Sequence, residues 1–501
     1  MRRVSLAAVL FPMVCVGLSF SMRLVAQAPH HIGGQSHGHV RFVVKDLGTF
    51  GGPFSGVNDD SVTLNNSGVV AGGADTTAPD PECFDGLFCF VEHAFRWQGG
   101  KLTDLGTLPY GANSFGIAIN SQGTIAGISE NGLVDSGTGS SAFHAVLWHG
   151  THIIDLETFG GSFSLPNDIN DFGQVVGGAQ NLTPDPFNFG DIVFLPSSTQ
   201  WRATLWQDGN MIDLGSLGKG QDSFAEFINE QGQIAGDAFT NSVVNPATGY
   251  PTVAPFLWQK SKMRNLGTLG GHRGVVIALN NLGQVTGWSN VAGDLTHHAF
   301  LWDHNAIKDL GTLGGSLSEP GWLSETGVVV GGSYTEGDET FRPFVWKNGI
   351  MTNLGSLEGD PCSFATGVNS KGQVIGDSVS DCFEAFRPFL WEGSGAIVDL
   401  NDLIPPHPGF HLRKADFINE LGEIAAHADY SNGDRHAVLL IPCELVWESS
   451  CDSDNGSRAG DAAESAVLPH VAANPEAVRR YVESLRSGMA RRRFFLNRAA
   501  H

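Results

Sequence analysis

The side chains best suited to binding lie in four insertions that share one position in a repeated pattern. The insertions span about residues 73–92, 128–142, 178–200 and 237–253 and are rich in Pro, Asp, Phe, Thr and Asn. Two of them carry the same Pro-Asp-Pro triplet, around Asp80 and Asp185. We expect a recognition surface there, because loops on a rigid scaffold usually carry binding; tolerated drift of surface loops is the alternative. The predicted binding residues are Asp80, Phe84, Phe88, Asp185, Phe187, Phe189 and Tyr250.

No catalytic set is recognisable in the sequence. It contains no H-E-x-x-H, G-x-S-x-G or P-loop motif, and we assign no catalytic residue, cofactor or metal ligand. A propeller-type polysaccharide hydrolase or lyase would need a pair of carboxylates, which the sequence does not place together. Four histidines near the N-terminus have the chemistry of copper or zinc ligands, and we interpret them as part of a solvated leader. These are His30, His31, His37 and His39.

Three short blocks recur eight times and must position the insertions. The first is Asp309-Leu310-Gly311, whose near-copies are spaced by 58, 51, 58, 52, 44, 44 and 46 residues. The second runs from Asn280 through Gly283 to Gly287 and predicts a tight turn, since Asn caps its own backbone and Gly supplies positive φ. The third runs from His298 to Trp302. The residues that represent the repeat are Asn280, Gly283, Gly287, His298, Trp302, Asp309 and Gly311.

Each repeat is predicted to form four short strands, which indicates an all-β fold. In the fifth repeat the predicted strands are residues 275–279, 284–288, 298–302 and 306–310. Four strands in about 45 residues are typical of a β-propeller blade, so we predict a propeller with eight blades. The chain begins with a lone fourth strand, residues 40–46, and ends after a third strand, residues 436–440. The N-terminal strand is therefore expected to complete the last blade and close the ring. A β-solenoid is the alternative.

Three residue positions that recur along the repeats are interpreted as structural. The His or Arg at the position of His298 has the chemistry of an anion-binding ring, but we expect each side chain to bond within its own blade. The Trp at the position of Trp302 is interpreted as packing between blades and not as a sugar-stacking platform. The Asp at the position of Asp309 is expected to bond the backbone amides of its own turn.

The three blocks resemble the HAF-repeat family of probable extracellular bacterial proteins, named for a His-Ala-Phe triplet. The triplet is intact at His93-Ala94-Phe95 and at His298-Ala299-Phe300 and drifts elsewhere, for example to Arg342-Pro343-Phe344. The resemblance covers about residues 40–443. It implies export and a repeat scaffold, and it implies no reaction.

The two ends of the chain and its cysteines point to export. Residues 1–28 have the basic start, apolar run and A-x-A site of a secretory signal peptide; an uncleaved anchor helix is the alternative. Residues 29–39 form a His-rich leader, 40–443 the repeat domain, 444–473 a linker and 474–501 a basic amphipathic helical tail. Six cysteines outside the signal predict three local disulfides, with metal binding as the alternative. The predicted pairs are Cys83–Cys89, Cys362–Cys382 and Cys443–Cys451.

Composition narrows the class of function. The chain has 65 glycines in 501 residues, a formal charge of -23 and 41% hydrophobic residues, which argues against disorder and against a helical bundle. Net negative charge disfavours nucleic-acid binding. We therefore expect a secreted or periplasmic, noncatalytic scaffold, monomeric, that binds a protein, a glycan or an envelope component through loops on one propeller face. The basic tail is expected to dock on the propeller, to touch an anionic membrane surface or to stay solvated.

Overall fold

The computed structural model describes residues 39–58, 61–80, 89–189, 199–218, 222–246, 248–380, 382, 386–407, 409–446, 451 and 478–479. The predicted signal peptide, nearly all of the leader and most of the linker and tail lie outside these residues. Residues from Val40 onward form one compact unit. Among the described residues, no helix is long and apolar enough to cross a membrane. Short 3-10 helices lie at Glu336–Asp338, Leu400–Leu403 and Cys443–Leu445.

Antiparallel strands pair in consecutive groups of four, which we number in chain order. Group 1 is β2 Gly51–Gly56, β3 Val70–Pro79, β4 Phe90–Gln98 and β5 Lys101–Asp104. Group 2 is β6 Ser114–Ile119, β7 Ile125–Val134, β8 Ser141–His149 and β9 His152–Asp155. Group 3 is β10 Ser164–Ile169, β11 Val175–Pro184, β12 Thr199–Gln207 and β13 Asn210–Asp213. Group 4 is β14 Ser223–Ile228, β15 Ile234–Val244, β16 Pro251–Gln259 and β17 Lys262–Asn265.

The second half of the chain repeats this order with shorter second strands. Group 5 is β18 Gly270–Leu279, β19 Val285–Val291, β20 His297–Asp303 and β21 Ala306–Asp309. Group 6 is β22 Gly314–Leu323, β23 Val329–Thr335, β24 Phe341–Lys347 and β25 Ile350–Asn353. Group 7 is β26 Cys362–Val368, β27 Val374–Val379, β28 Phe386–Trp391 and β29 Val398–Asp399. Group 8 is β30 Phe410–Ile418, β31 Ile424–Tyr430, β32 Arg435–Pro442 and, from the N-terminal region, β1 Phe42–Asp46.

The Asn-x-x-Gly block forms the turn between the first two strands of a group. In group 5 the Asn280 Oδ1 accepts hydrogen bonds from the amides of Leu282 at 3.1 Å and Gln284 at 3.0 Å. Gly283 has a φ of +75°, a conformation that L side chains rarely adopt. A Cβ at Gly287 would lie 1.9 Å from the carbonyl oxygen of Val275 on the neighbouring strand. The block is thus set by backbone geometry and by close approach of strands, which explains why it recurs.

The core lies between successive groups, where strand faces pack against each other. One cluster joins Trp346 of group 6 to Leu301 and Leu310 of group 5. The Nζ of Lys308 in group 5 lies 4.6 Å from the centre of the Trp346 ring, so a cation–π contact covers the tryptophan. The repeated tryptophan therefore lies in the packing between groups.

The pairing of β1 with β32 joins residues from the two ends of the repeat region. The pairing is antiparallel, with Phe42 opposite Pro442 and Asp46 opposite Val438. The ring of His436 contacts the carboxylate of Asp46 at 3.0 Å across 390 residues. In group 5 the same contact joins His298 to Asp309, only 11 residues later. The N-terminal strand therefore takes the place of the fourth strand in group 8.

Two of the predicted disulfides fall within the described residues, and both are confirmed. Cys362–Cys382 has a Cα–Cα distance of 5.4 Å, and Cys443–Cys451 one of 5.7 Å. Cys83, the expected partner of Cys89, lies outside the described residues. Disulfides persist in oxidising compartments, so the two bonds are consistent with an extracellular or periplasmic environment.

Candidate functional sites

The two ends of each group carry different connections. The turn end holds the Asn-x-x-Gly turns between first and second strands. The hairpin end, at the opposite end of the strands, holds the connection between second and third strands. The second strand has 10 or 11 residues in groups 1 to 4, against 6 or 7 in groups 5 to 8. The insertions are therefore partly built as longer β-hairpins.

Exposed apolar side chains occupy these longer hairpins. The strand ends match in register, because Val134 pairs with Ser141, Pro184 with Thr199 and Val244 with Pro251. A protein surface usually scatters single apolar residues, whereas here they recur at the hairpin ends of three consecutive groups. Tyr110, between β5 and β6, adds an aromatic ring near Gly132 of the same hairpin end. The exposed fractions are Tyr110 95%, Leu133 65%, Val134 65%, Leu182 76%, Val243 73% and Val244 45%.

Two of the predicted carboxylates are buried, where they cap the hairpin ends. Asp185 accepts hydrogen bonds from the amides of Phe187 at 2.9 Å and Phe189 at 2.5 Å. Asp80 accepts one from the Nδ2 of Asn113 in group 2 at 3.2 Å. Both carboxylates are used in local structure, so they do not present a charged binding surface.

The predicted aromatic residues that the structure describes pack inward. Phe189 is fully buried, and its ring centre lies 4.9 Å from that of Phe239. Phe187 contacts Phe239 edge-on at 5.9 Å. Tyr250 is half-buried and packs on the same cluster. These rings anchor the hairpin of group 3 to group 4, while Phe84 and Phe88 lie outside the described residues.

Between groups 3 and 4, the buried carboxyl groups of Asp185 and Asp222 lie where groups 1 and 2 have the Asp80 carboxylate and the Asn113 amide. Asp222 precedes the first strand of group 4, as Asn113 does in group 2. Burial raises the pKa of Asp222 to about 8, and the neighbouring charge of Asp185 adds to the rise. The Asp222 Oδ1 accepts the amide of Trp201 at 2.8 Å, whereas its Oδ2 has no hydrogen-bond partner among the described residues. The raised pKa favours the protonated, neutral form of the Asp222 carboxyl.

A cavity of about 320 Å³ opens at the turn end and is lined by residues from every group. The deep part of the cavity is apolar. There the ring of Trp322 lies edge-on to those of Phe227 and Phe417, with ring centres 6.0 Å and 5.8 Å apart. Around it the Asn side chains of the turns bridge successive groups. Asn280 Nδ2 donates to the carbonyl of Ser324 in group 6 at 3.0 Å, and Asn419 Nδ2 donates to that of Asn65 in group 1 at 3.1 Å.

The residue after each of these asparagines forms an outer rim that sequence reasoning missed. Several rim residues carry carboxylates that accept the backbone amide of the preceding group. Burial raises the pKa values of Glu230 and Glu325, and the charges of neighbouring rim carboxylates add to the rise. Deeper in the cavity, burial raises the pKa of Asp168 to about 7. The rim carboxylates are Asp171, Glu230, Glu325 and Glu420.

The recurring His or Arg contacts carboxylates and carbonyls at the sheet surface. His93, His144 and Arg202 each pair with the Asp 11 residues later, as His298 does. Arg387 instead reaches Asp360 at 2.7 Å, at the start of its own group. Among the described residues, no group of three or more His, Cys, Asp or Glu side chains could hold a metal ion.

These features define an all-β repeat protein with propeller-like, four-stranded antiparallel sheets. No family model and no curated protein matches the chain. Among solved structures, the chain is similar to an acylaminoacyl peptidase from Pyrococcus horikoshii at 12% identity. The match has a TM-score of 0.40 and covers 75% of this chain and 58% of that one.

Two further similarities are to a protease domain and a lyase. The β-propeller domain of the trilobed protease from Pyrococcus furiosus matches at 9% identity and a TM-score of 0.41, covering 69% of this chain and 95% of that one. An ulvan lyase, a polysaccharide lyase, matches at 10% identity and a TM-score of 0.37, covering 79% of this chain and 96% of that one. These similarities carry no inference about what this chain binds or cleaves.

Proposed function

We propose that the chain is an exported, noncatalytic member of the HAF-repeat class and forms an eight-bladed propeller closed by β1. Three contacts support the closed ring: β1 pairs with β32, Phe54 of β2 lies opposite Arg435 of β32, and Asn419 bonds Asn65. A cavity lined by all eight groups fits the same arrangement. Export is supported by the signal-like N-terminus and by the two disulfides.

The ring binds a protein partner through the hairpin ends of groups 2 to 4. The observation that carries this proposal is the set of exposed aliphatic side chains at the hairpin ends of three consecutive groups, led by Leu133, Leu182 and Val243. Aliphatic side chains gain most from burial against another apolar surface, whereas glycans call for hydroxyl-matched polar groups and flat aromatic rings. A protein is therefore favoured over a glycan as the ligand.

The test uses the full chain with Leu182→Asp and Val243→Asp together. A photo-crosslinking residue at position 133 captures the partner in envelope fractions, and we expect the double variant to lose the crosslinked product. Leu295 is the matched control, because it is 96% exposed on the short hairpin of group 5; Leu295→Asp should leave the product unchanged. Capture that survives the double variant, or glycan-array binding that the double variant retains, would refute the proposal.

A polysaccharide hydrolase or lyase is the second candidate, and the cavity gives a specific reason for it. Carboxylates with raised pKa values surround the opening, as an acid–base pair would require. Against catalysis, the rim carboxylates already accept backbone amides of the neighbouring group, and Trp322 fills the depth. Glu230→Gln with Glu325→Gln would abolish depolymerisation of an acidic polysaccharide if this candidate were correct. The fall in viscosity of the polysaccharide solution over time measures this depolymerisation.

A further inference from the structure

A cluster of buried apolar side chains lies at the hairpin end of groups 6 and 7, where the hairpins are short. We call the space that Val478 fills in this cluster the cleft. Phe341 starts the third strand of group 6 and lies opposite Cys362, the first residue of group 7. The rings of Phe341 and Phe364 stack with centres 6.3 Å apart, and Tyr334 meets Phe341 edge-on at 5.2 Å. The Cys362–Cys382 disulfide belongs to the same cluster. The cleft is thus aromatic and cross-linked.

A residue from far along the chain is buried in this cluster. Val478 is 0% exposed and packs among Leu317, Phe341, Phe364 and Val379. It lies more than 90 positions beyond Phe386, the last residue of the cluster in the repeat region. The adjacent Arg479 is exposed. Burial of a valine side chain stabilises by about 1.5–3 kcal/mol, so one buried anchor is enough to bias the position of a segment.

Charge favours the same arrangement. Residues 474–501 contain seven Arg and two Glu, a formal charge of 7 - 2 = +5, whereas the whole chain carries -23. The hairpin turn beside the cleft is acidic, with Glu336, Asp338 and Glu339 between the strands that carry Tyr334 and Phe341. A basic segment next to an exposed acidic turn gains favourable electrostatic energy that salt screens.

We propose that the C-terminal segment, residues 474–501, is an intramolecular ligand of this cleft and is held there by Val478. The cleft is then a second docking surface at the hairpin end, fitted to a basic amphipathic segment and occupied by the chain's own. It is independent of the aliphatic surface of groups 2 to 4. Release of the segment exposes an aromatic cleft on the half of this end that carries no long hairpins.

The test compares the full chain with its Val478→Asp variant, using a fluorescent peptide of residues 474–501 as the probe. In the wild type the tethered segment competes with the peptide, whereas a buried Asp is disfavoured and leaves the cleft free. We expect the peptide to bind the variant about tenfold or more tightly than the wild type by fluorescence anisotropy. A peptide that itself carries Val478→Asp should bind neither.

Trypsin provides a second measurement that does not depend on affinity. Release should speed cleavage after Arg479, because proteolysis follows the population of the open form. Val243→Asp is the matched control, since it changes the aliphatic surface alone and should leave both measurements at wild-type values. Equal peptide binding by wild type and variant would overturn the proposal. A Val478-dependent dimer in light scattering would overturn it as well, because the segment would then occupy the cleft of a second copy.

Discussion

The bridge from each turn asparagine to the next group should carry measurable stability, and the chain contains its own variant of it. At group 6 the turn begins with Ser324, whose Oγ accepts the amides of Thr326 at 3.2 Å and Val328 at 3.0 Å. Serine therefore keeps the turn. Among the described contacts, its side chain makes no bond to Asn369, where an asparagine at this position would donate one.

Asn280→Ser reproduces that natural variant one group earlier. It keeps the turn but removes the Nδ2 bond to the buried carbonyl of Ser324, which is 3.0 Å long. That carbonyl still accepts the amide of Gly327 at 3.1 Å, so losing the Nδ2 bond should cost about 0.5–1.5 kcal/mol. The reverse change, Ser324→Asn, adds one bond to the carbonyl of Asn369 and should stabilise by about 0.5–1.5 kcal/mol.

Urea unfolding followed by tryptophan fluorescence measures both changes. The midpoint should fall for Asn280→Ser and rise for Ser324→Asn, with an unchanged dependence on urea concentration because the surface exposed on unfolding is the same. Asn280→Ala is the control that also removes the turn bonds, so its urea midpoint should fall further than that of Asn280→Ser. Unchanged midpoints for both serine–asparagine exchanges would refute the view that these bridges hold neighbouring groups together.

Three other predictions concern stability. The pKa of Asp222, about 8 when folded against a model value of 3.8, means that its stabilisation is full at low pH and is lost as pH rises toward 8. Asp222→Asn should therefore stabilise the chain at pH 8 by ~1 kcal/mol or more and flatten the pH dependence of the urea midpoint between pH 5 and 8. Replacing Cys362 and Cys382 by Ala should cost about 3 kcal/mol, because the bond closes a loop of 20 residues; a reducing agent should then have less effect on the melting temperature than in the wild type. Gly287→Ala should cost more than about 2 kcal/mol, since its Cβ would overlap the carbonyl of Val275, and calorimetry would detect the loss.

The strand order was predictable because the signals that set it are local. The sequence predicted strands at 275–279, 284–288, 298–302 and 306–310 in group 5. The structure has them at Gly270–Leu279, Val285–Val291, His297–Asp303 and Ala306–Asp309. Asn280 and Gly283 determine a turn within four residues, so the repeat gives the boundaries directly. The early start of β18 was not predictable, because Gly270 and Arg273 pair with Val291 and Val253, which lie about twenty residues away in the sequence.

The surface of the insertions was less predictable, for a physical reason. Phe189 and Asp185 are residue types that are common in binding loops. In the structure, however, the Phe189 ring packs on Phe239 of the next group, and the Asp185 carboxylate accepts backbone amides. Burial of this kind depends on contacts between groups, which an irregular insertion with no repeating period does not encode locally. Leu182 and Val243 lie within the same insertions, but only the fold shows that both side chains are exposed at the hairpin ends.

The cavity rim was missed although its signal is in the repeat. The residue after the first turn residue, which is Asn or Ser, is often polar, as with Glu230, Asn281 and Glu325. Its role depends on the neighbouring group, because each side chain accepts an amide that lies 44 to 59 residues away. A pattern within one repeat does not reveal which side chain contacts the next.

The pairing of β1 with β32 also bears on the order of folding. During synthesis β1 appears first, yet its partner follows about 390 residues later, as the Asp46–His436 separation shows. Contacts of such separation form slowly, since the loop between them must close first. Group 8 is therefore expected to be the last to form, whatever the order of the others. Until then β32 keeps an open edge that another chain could join, so this chain would benefit from a chaperone that shields its last strand.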